Sequence, residues 1–318
     1  MENHSTENIK IGISSCLLGE KVRFDAGHKK NQFVTDVLTN YFEFVPFCPE
    51  VEIGLGIPRE PIRLVTIDNE IRCKGTRNND LDVTDKLYDI AEKQRDWHGG
   101  LCGYILKKDS PSCGMERVKI YNKDMPARNG VGLYAKRLLE NFPSLPVEEE
   151  GRLGDAHIRE NFIRRVYVYS RWKAMLNQGV TISRLQAFHA NHKYIFMSHD
   201  QTRARALGAM LAGSKGDDFK SLTSKYFDDM MKLLKVIATR SNHVNTLQHL
   251  QGYLKTPLDS DDKEELNSVI ADYRQGLLPL IVPITLLRHH FRKHPNDYIT
   301  KSFYMSPHPG ELMLLNSI

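Results

Sequence analysis

Residues 9–20 read IKIGISSCLLGE, a β-rich apolar run that passes directly into a polar, cysteine-bearing turn. Its isoleucine-rich first half is a short buried strand over residues 9–14, and its second half leaves that strand through two serines, a cysteine and a glycine. The rest of the first half repeats the theme. Residues 42–47 form a short aromatic strand ending at a Pro-containing break, and residues 103–107 and 118–121 are two more. Helices are expected over 31–41, 84–96 and 133–139. Strands alternating with helices predict an α/β N-terminal domain with an open, mostly parallel, Rossmann-like sheet. From residue 183 onward apolar residues recur at helical spacing, in 219–237 and again in 266–280, which predicts an all-α C-terminal domain. The run PSLPVEEE (143–150) breaks the pattern. The helix expected over 159–175 is nevertheless assigned to the first domain, so the boundary is placed near Gly179, giving domains 1–178 and 179–318.

A length of 318 residues suits two domains, and 41% apolar with 26% charged residues excludes collagen, coiled coil and wholesale disorder. No run approaches the length of a membrane span, and the first ten residues, MENHSTENIK, lack the apolar centre of a signal peptide. A reducing cytoplasm is therefore expected. There the five cysteines are not a disulfide framework; each is core filler, nucleophile or metal ligand.

Three of them stand in polar loops after strands: Cys16, Cys48 in FCPE, and Cys113 in DSPSCG. The carboxyl ends of parallel strands line one crevice, so three thiols distant in sequence are expected to converge. Cys102 enters an apolar strand and Cys73 stands in a charged run; both are read as structural. Buried filler remains one reading of any single cysteine. A structural zinc site wants four ligands, usually from CxxC pairs, and no such pair exists. An iron–sulfur cluster tolerates long spacings, and three thiolates on a cubane leave one iron open as a Lewis acid.

SSCLLGEKVRFDAG (14–27), CPEVEIGLGIPREP (48–61), DSPSCG (109–114), GLYAKRLLENFPSLPVEEEGRL (132–153) and RENFIRRVYVYSRW (159–172), in that order, resemble the thiouracil desulfidase (TudS-like) domain. The part behind it, with FHANHKYIFMSH (188–199) and QGYLK (251–255), resembles a helical domain of unknown function often fused to it. The resemblance implies a [4Fe–4S] cofactor with three Cys ligands, Cys16, Cys48 and Cys113, and one open iron. It implies a catalytic carboxylate at Glu50 and a serine near the substrate at Ser110, with Ser112 in the same loop. Two-domain chains of this kind resemble desulfidases of 4-thiouridine in tRNA, which makes tRNA the expected partner, with no DNA or membrane. Two alternatives remain: desulfidation of free thiouracil or thiouridine, and a non-catalytic redox-sensing, RNA-binding module.

Other residues are weighed on their own chemistry. Arg23, Asp25 and His28 line the site or bind phosphate, unless Arg23 and Asp25 pair with each other. Arg59 and Arg63 invite a phosphate reading against the commoner solvated one. Trp97 and His98 offer a base-stacking surface or are core. The chain is mildly basic, pI about 8.8, and residues 181–318 carry 17 Lys and Arg against 13 Asp and Glu. Arg203, Arg205, Lys215, Lys220, Lys225, Lys232 and Lys235 belong to that excess, as do Arg288, Arg292 and Lys293 in RHHFRKH. These cations are candidate RNA contacts, although solvated helix faces carry such charges too. His189, His192 and His199 are taken as structural or RNA-contacting rather than metal-binding.

Overall fold

The computed structural model describes residues 9–122, 125–213, 219–312 and 314–316; Lys215 and the polar residues 1–8 lie outside them. The chain forms two compact units, Met1–Gly154 and Asp155–Ile318. The division thus falls well before Gly179. Helix 156–177 carries aromatic residues at 3–4 spacing, and these need an apolar partner. They find it in the helical unit, where Trp172 stacks on Tyr226 and Phe227 at 5.9 and 5.1 Å.

Among the described residues the first unit has eight strands: β1 (Lys10–Ser14), β2 (Glu43–Phe47), β3 (Ile62–Ile67), β4 (Glu70–Gly75), β5 (Gly103–Leu106), β6 (Val118–Asn122), β7 (Met125–Gly130) and β8 (Val147–Glu149). Four form the expected parallel sheet, in the order β2-β1-β5-β8. Both faces of its centre are buried, since Ile11, Ile13, Tyr104 and Ile105 lose all contact with solvent. The helices α1 (Pro49–Glu52), α2 (Thr84–Lys93), α3 (Arg95–Gly100) and α4 (Leu133–Asn141) complete this unit.

Three features differ from expectation. Residues 31–41 form a π-helical turn, Phe33–Val37, and a 3-10 turn, Leu38–Asn40. β-branched residues and side chains bonded back to the chain, as in Thr39 Oγ1 to Thr35 O at 2.7 Å, favour irregular winding over a regular helix. A second, mixed sheet runs β4-β3-β6-β7. Its β3–β4 hairpin turns at Asp68 and Asn69, both with positive φ, as a two-residue loop of the I′ class requires.

Third, the acidic end of PSLPVEEE is the buried edge strand β8. The buried carboxylates here are tolerated because donors meet them: Glu149, in the strand, accepts from Met115 N at 2.7 Å, and Glu150, just after it, from Lys108 N at 2.7 Å.

The second unit is all α, with α5 (Ala156–Asn177), α6 (Ile182–His199), α7 (Gln201–Ala212), α8 (Phe219–Leu234), α9 (Arg240–Gly252), α10 (Ser260–Gln275), α11 (Ile281–Lys293) and α12 (Asp297–Thr300). Asp155, Thr181, Asp200, Thr239 and Asp259 cap five of these helices. No helix among the described residues is long and apolar enough to cross a membrane.

Candidate functional site

β1 ends at Ser14, and the chain tightens into a 3-10 turn that carries Cys16. β2 ends at Phe47, and Cys48 follows as the residue before α1. After β5 the loop 110–114 carries Cys113. These three strand ends are neighbours in the parallel sheet, and all three cysteines line one cavity of about 470 Å³. The thiols are free, and burial raises the pKa of each: Cys16 is pushed up to about 11, despite the opposing charges of Lys107 and Arg23. Cys48 acts electrostatically on both of the others.

Three soft donors sharing a cavity suit a cluster with an open iron and fall short of a closed structural zinc site. Among the described residues no three His, Cys, Asp or Glu side chains could hold a single metal ion.

The cysteine loops are held from behind. Ser110 Oγ accepts from Cys113 N at 3.1 Å and Ser112 N at 3.3 Å, which winds the loop around its first serine. Gly132 packs so closely on this loop that a Cβ there would lie 2.5 Å from the Ser112 carbonyl carbon and 2.8 Å from Cys113 N. Because backbone cannot step aside as a side chain can, Gly132→Ala should cost about 1–3 kcal/mol and displace Cys113. Thermal melting and iron content of the anaerobically reconstituted variant check this; wild-type values in both would contradict it. Beneath Cys48, Phe47 stacks on Tyr134 at 5.4 Å, and Tyr134 Oη meets His98 Nε2 at 2.6 Å. Trp97 packs on Phe47, His98 and Tyr104, and neither Trp97 nor His98 lines the cavity, so within it they support the floor and present no stacking surface.

Glu50, in the first turn of α1, faces the same cavity. Its Oε2 accepts from Arg59 Nε at 2.9 Å and Nη2 at 2.8 Å, a fork in which the arginine is only 5% and the glutamate 14% exposed. Arg59 Nη1 also donates to Val22 O and Gly56 O at 2.9 and 3.0 Å. The Oε1 atom accepts from Ser112 Oγ at 2.6 Å, and Ser110 Oγ lies 2.9 Å from Ser112 Oγ. Since backbone amides already occupy Ser110 as an acceptor, its own proton is free for Ser112. A hydroxyl chain therefore runs from Ser110 through Ser112 to Glu50.

The remaining expectations divide. Arg59 lines the cavity, but its guanidinium is spent on Glu50, which leaves little for a phosphate. Arg23 lines it too and pairs with Asp25 at 3.5 Å. Asp25 accepts from Gly27 N, and His28 Nδ1 from Lys30 N; both are exposed and outside the cavity lining. Arg63 stands on β3, outside this cavity.

Arg288 is not an exposed RNA contact: it donates to Met305 O and Ser306 Oγ inside the helical unit, whereas Arg292 and Lys293 are exposed. Lys107, Lys108 and Lys29 line the cavity and are additional to the expected set. Lys107 Nζ bonds Glu150 at 2.5 Å across the ends of β5 and β8. The strand-end rule that singled out the cysteines also applies to Lys107 and Lys108, which directly follow β5.

The three histidines of 188–199 are structural. His189 meets Tyr226 Oη, His192 donates to Phe188 O and His199 to Val236 O. Burial pulls His189 down to about 4, His199 to about 3, and His192 well below the usual range. Folded, these rings stay neutral; unfolded, they take up protons below about pH 6.5, so the helical unit loses stability as pH falls from there toward 4. Thermal melting at pH 7 and pH 5 checks the sign; an unchanged midpoint would contradict it.

A family model described as 2-thiouracil desulfurase matches residues 11–150, and one described as a protein of unknown function (DUF1722) matches residues 193–309. YbbK of Bacillus subtilis (strain 168), uncharacterised, is 31% identical over 151 residues, 46% of this chain and 98% of that protein. YbgA of Escherichia coli (strain K12), also uncharacterised, is 26% identical over 154 residues, 48% of this chain and 91% of its own. A solved structure of the [4Fe–4S]-dependent thiouracil desulfidase TudS is 30% identical, covering 46% of this chain and 94% of that one with a TM-score of 0.38.

Proposed function

The chain belongs, over residues 11–150, to the 2-thiouracil desulfurase family, and from that premise we propose that it replaces the thiocarbonyl sulfur of 4-thiouridine in tRNA by oxygen. One observation carries the reading: a carboxylate fixed by two partners, Glu50, opens on the cavity that three free thiols share. Cys16, Cys48 and Cys113 would hold the cluster. A [4Fe–4S] cluster held by these three thiolates would supply a soft Lewis acid able to polarise a thiocarbonyl group.

The protein's own groups handle water and protons. Water adds to the ring carbon, and Glu50 takes one of its protons. Collapse of the adduct to the carbonyl expels the sulfur, which takes the proton held by Glu50 and leaves as hydrosulfide, while the proton of the added hydroxyl is released to solvent. The balance is thiocarbonyl plus water to carbonyl plus hydrosulfide and a proton, with no external electrons. Ser112 keeps Oε1 in place, Arg59 anchors Oε2, and Ser110 holds both Ser112 and the turn at Cys113. A redox sensor needs no positioned base, so the Arg59–Glu50–Ser112 arrangement favours an enzyme.

In the second unit Arg203, Lys232 and Lys235 line one groove along α7 and the end of α8 against a single carboxylate, Asp229, and this cationic excess supports a phosphate-binding role for the helical unit. Sulfide release measured with thiolated tRNA and with free 4-thiouracil tests the substrate. A kcat/KM at least about tenfold higher on tRNA is expected from such contacts. Equal or better turnover of the free base would favour the small-molecule alternative.

A further inference from the structure

A second cavity, of about 390 Å³, adjoins the thiol cavity and shares Ile62, Asp109 and Pro111 with it. It lies against β3, β6 and β7 and carries Arg63, Lys119 and Arg128 against a single carboxylate, Asp109. The strand pattern explains why these cations stand together. Ile62, Leu64, Val118 and Ile120 alternate into the core, leaving Arg63, Lys119 and Tyr121 on the other face.

Lys119 is the register partner of Arg128, so two like charges stand directly opposite across an antiparallel pair. That arrangement costs stability unless something offsets it. Asp109 is a weak remedy: it reaches Arg128 at 3.4 Å, with both side chains more than half exposed. Neither Arg63 nor Lys119 has an ion-pair partner among the described residues. Arg63 Nε is buried without a hydrogen-bond partner, and the guanidinium lies 5.2 Å over the Tyr121 ring. Stacking on the ring occupies the face of a guanidinium and leaves its in-plane N–H donors for an anion.

We infer that this second cavity binds a phosphate of the substrate, so that the first unit itself distinguishes a thiolated nucleotide from a free thiolated base. The inference rests on the desulfidase reading for the identity of the substrate, but the phosphate subsite can be measured without turnover. The phosphate belongs either to a mononucleotide or to an RNA chain, and the chemistry of recognition is the same.

Calorimetry on the full chain compares uridine 5′-monophosphate with uridine. The monophosphate should bind at least about tenfold more tightly, as charge-assisted bonds to a phosphate imply. The double variant Arg63→Ala with Lys119→Ala should erase that preference while leaving uridine unchanged. In kinetics it should raise KM for 4-thiouridine 5′-monophosphate about tenfold, with kcat and the KM for 4-thiouracil unchanged. A larger rise on a short RNA carrying 4-thiouridine identifies the chain as the source of the phosphate; an equal rise identifies one phosphate beside the nucleoside. Equal binding of monophosphate and uridine, or equal losses on nucleotide and free base, would overturn the subsite. If no thiolated substrate releases sulfide yet the variant loses the monophosphate preference, the desulfidase reading fails and the subsite stands.

Discussion

Cys113→Ala is expected to lose iron and activity together. The residue is 6% exposed and lies in a loop wound on Ser110 and pressed against Gly132, so the smaller side chain should leave the fold intact while removing one of the three proposed donors. Removing the Lewis acid forfeits several kcal/mol of transition-state stabilisation, about a thousandfold or more in sulfide release. Cys16→Ala and Cys48→Ala should behave alike. Cys73→Ala should keep iron and activity, since Cys73 packs among Leu64, Val83 and Leu87 in a separate apolar cluster. Full iron content in Cys113→Ala, or loss of the cluster in Cys73→Ala without unfolding, would contradict the assignment of ligands.

Glu50→Gln is expected to keep the cluster and lose the chemistry. Glutamine preserves the length of the side chain and can still accept from Ser112, but it cannot take a proton from water. General-base catalysis is worth about 10²–10⁴-fold, and sulfide release should fall by that factor. The substitution also leaves the buried Arg59 charge without its carboxylate, so iron content and melting temperature are measured beside activity. Unchanged iron with strongly reduced turnover is the expected pattern. A variant of wild-type activity would remove Glu50 from the mechanism.

The sites of Cys16, Cys48 and Cys113 were legible because each follows a short apolar strand, and parallel strands present their carboxyl ends together. The Arg59–Glu50 fork was not. Both residues stand in CPEVEIGLGIPREP, but their meeting depends on a loop that folds back through Gly54 and Gly56, both at positive φ. Residue types at that spacing fit equally well with two solvated charges.

The VEE of β8 was illegible for a related reason. Three residues are too few for a period-2 pattern, and the amide that meets its Glu149 comes from Met115, far away in sequence, as do the Lys107 and Lys108 donors to Glu150 just after the strand. The helix over 156–177 was recognised, but not its home, because aromatic spacing identifies a buried face without saying against what it is buried. Arg288 illustrates the converse, a cation in a basic run whose bonds to Met305 and Ser306 are tertiary.

The most direct test of the account follows oxygen and sulfur through one reaction. The full chain, reconstituted anaerobically with iron and sulfide, is given 4-thiouridine-containing tRNA in water enriched in oxygen-18. One hydrosulfide should be released per uridine formed, with the label in the new carbonyl and no added reductant. Uridine formed without label, or no sulfide from a fully loaded protein, would contradict it.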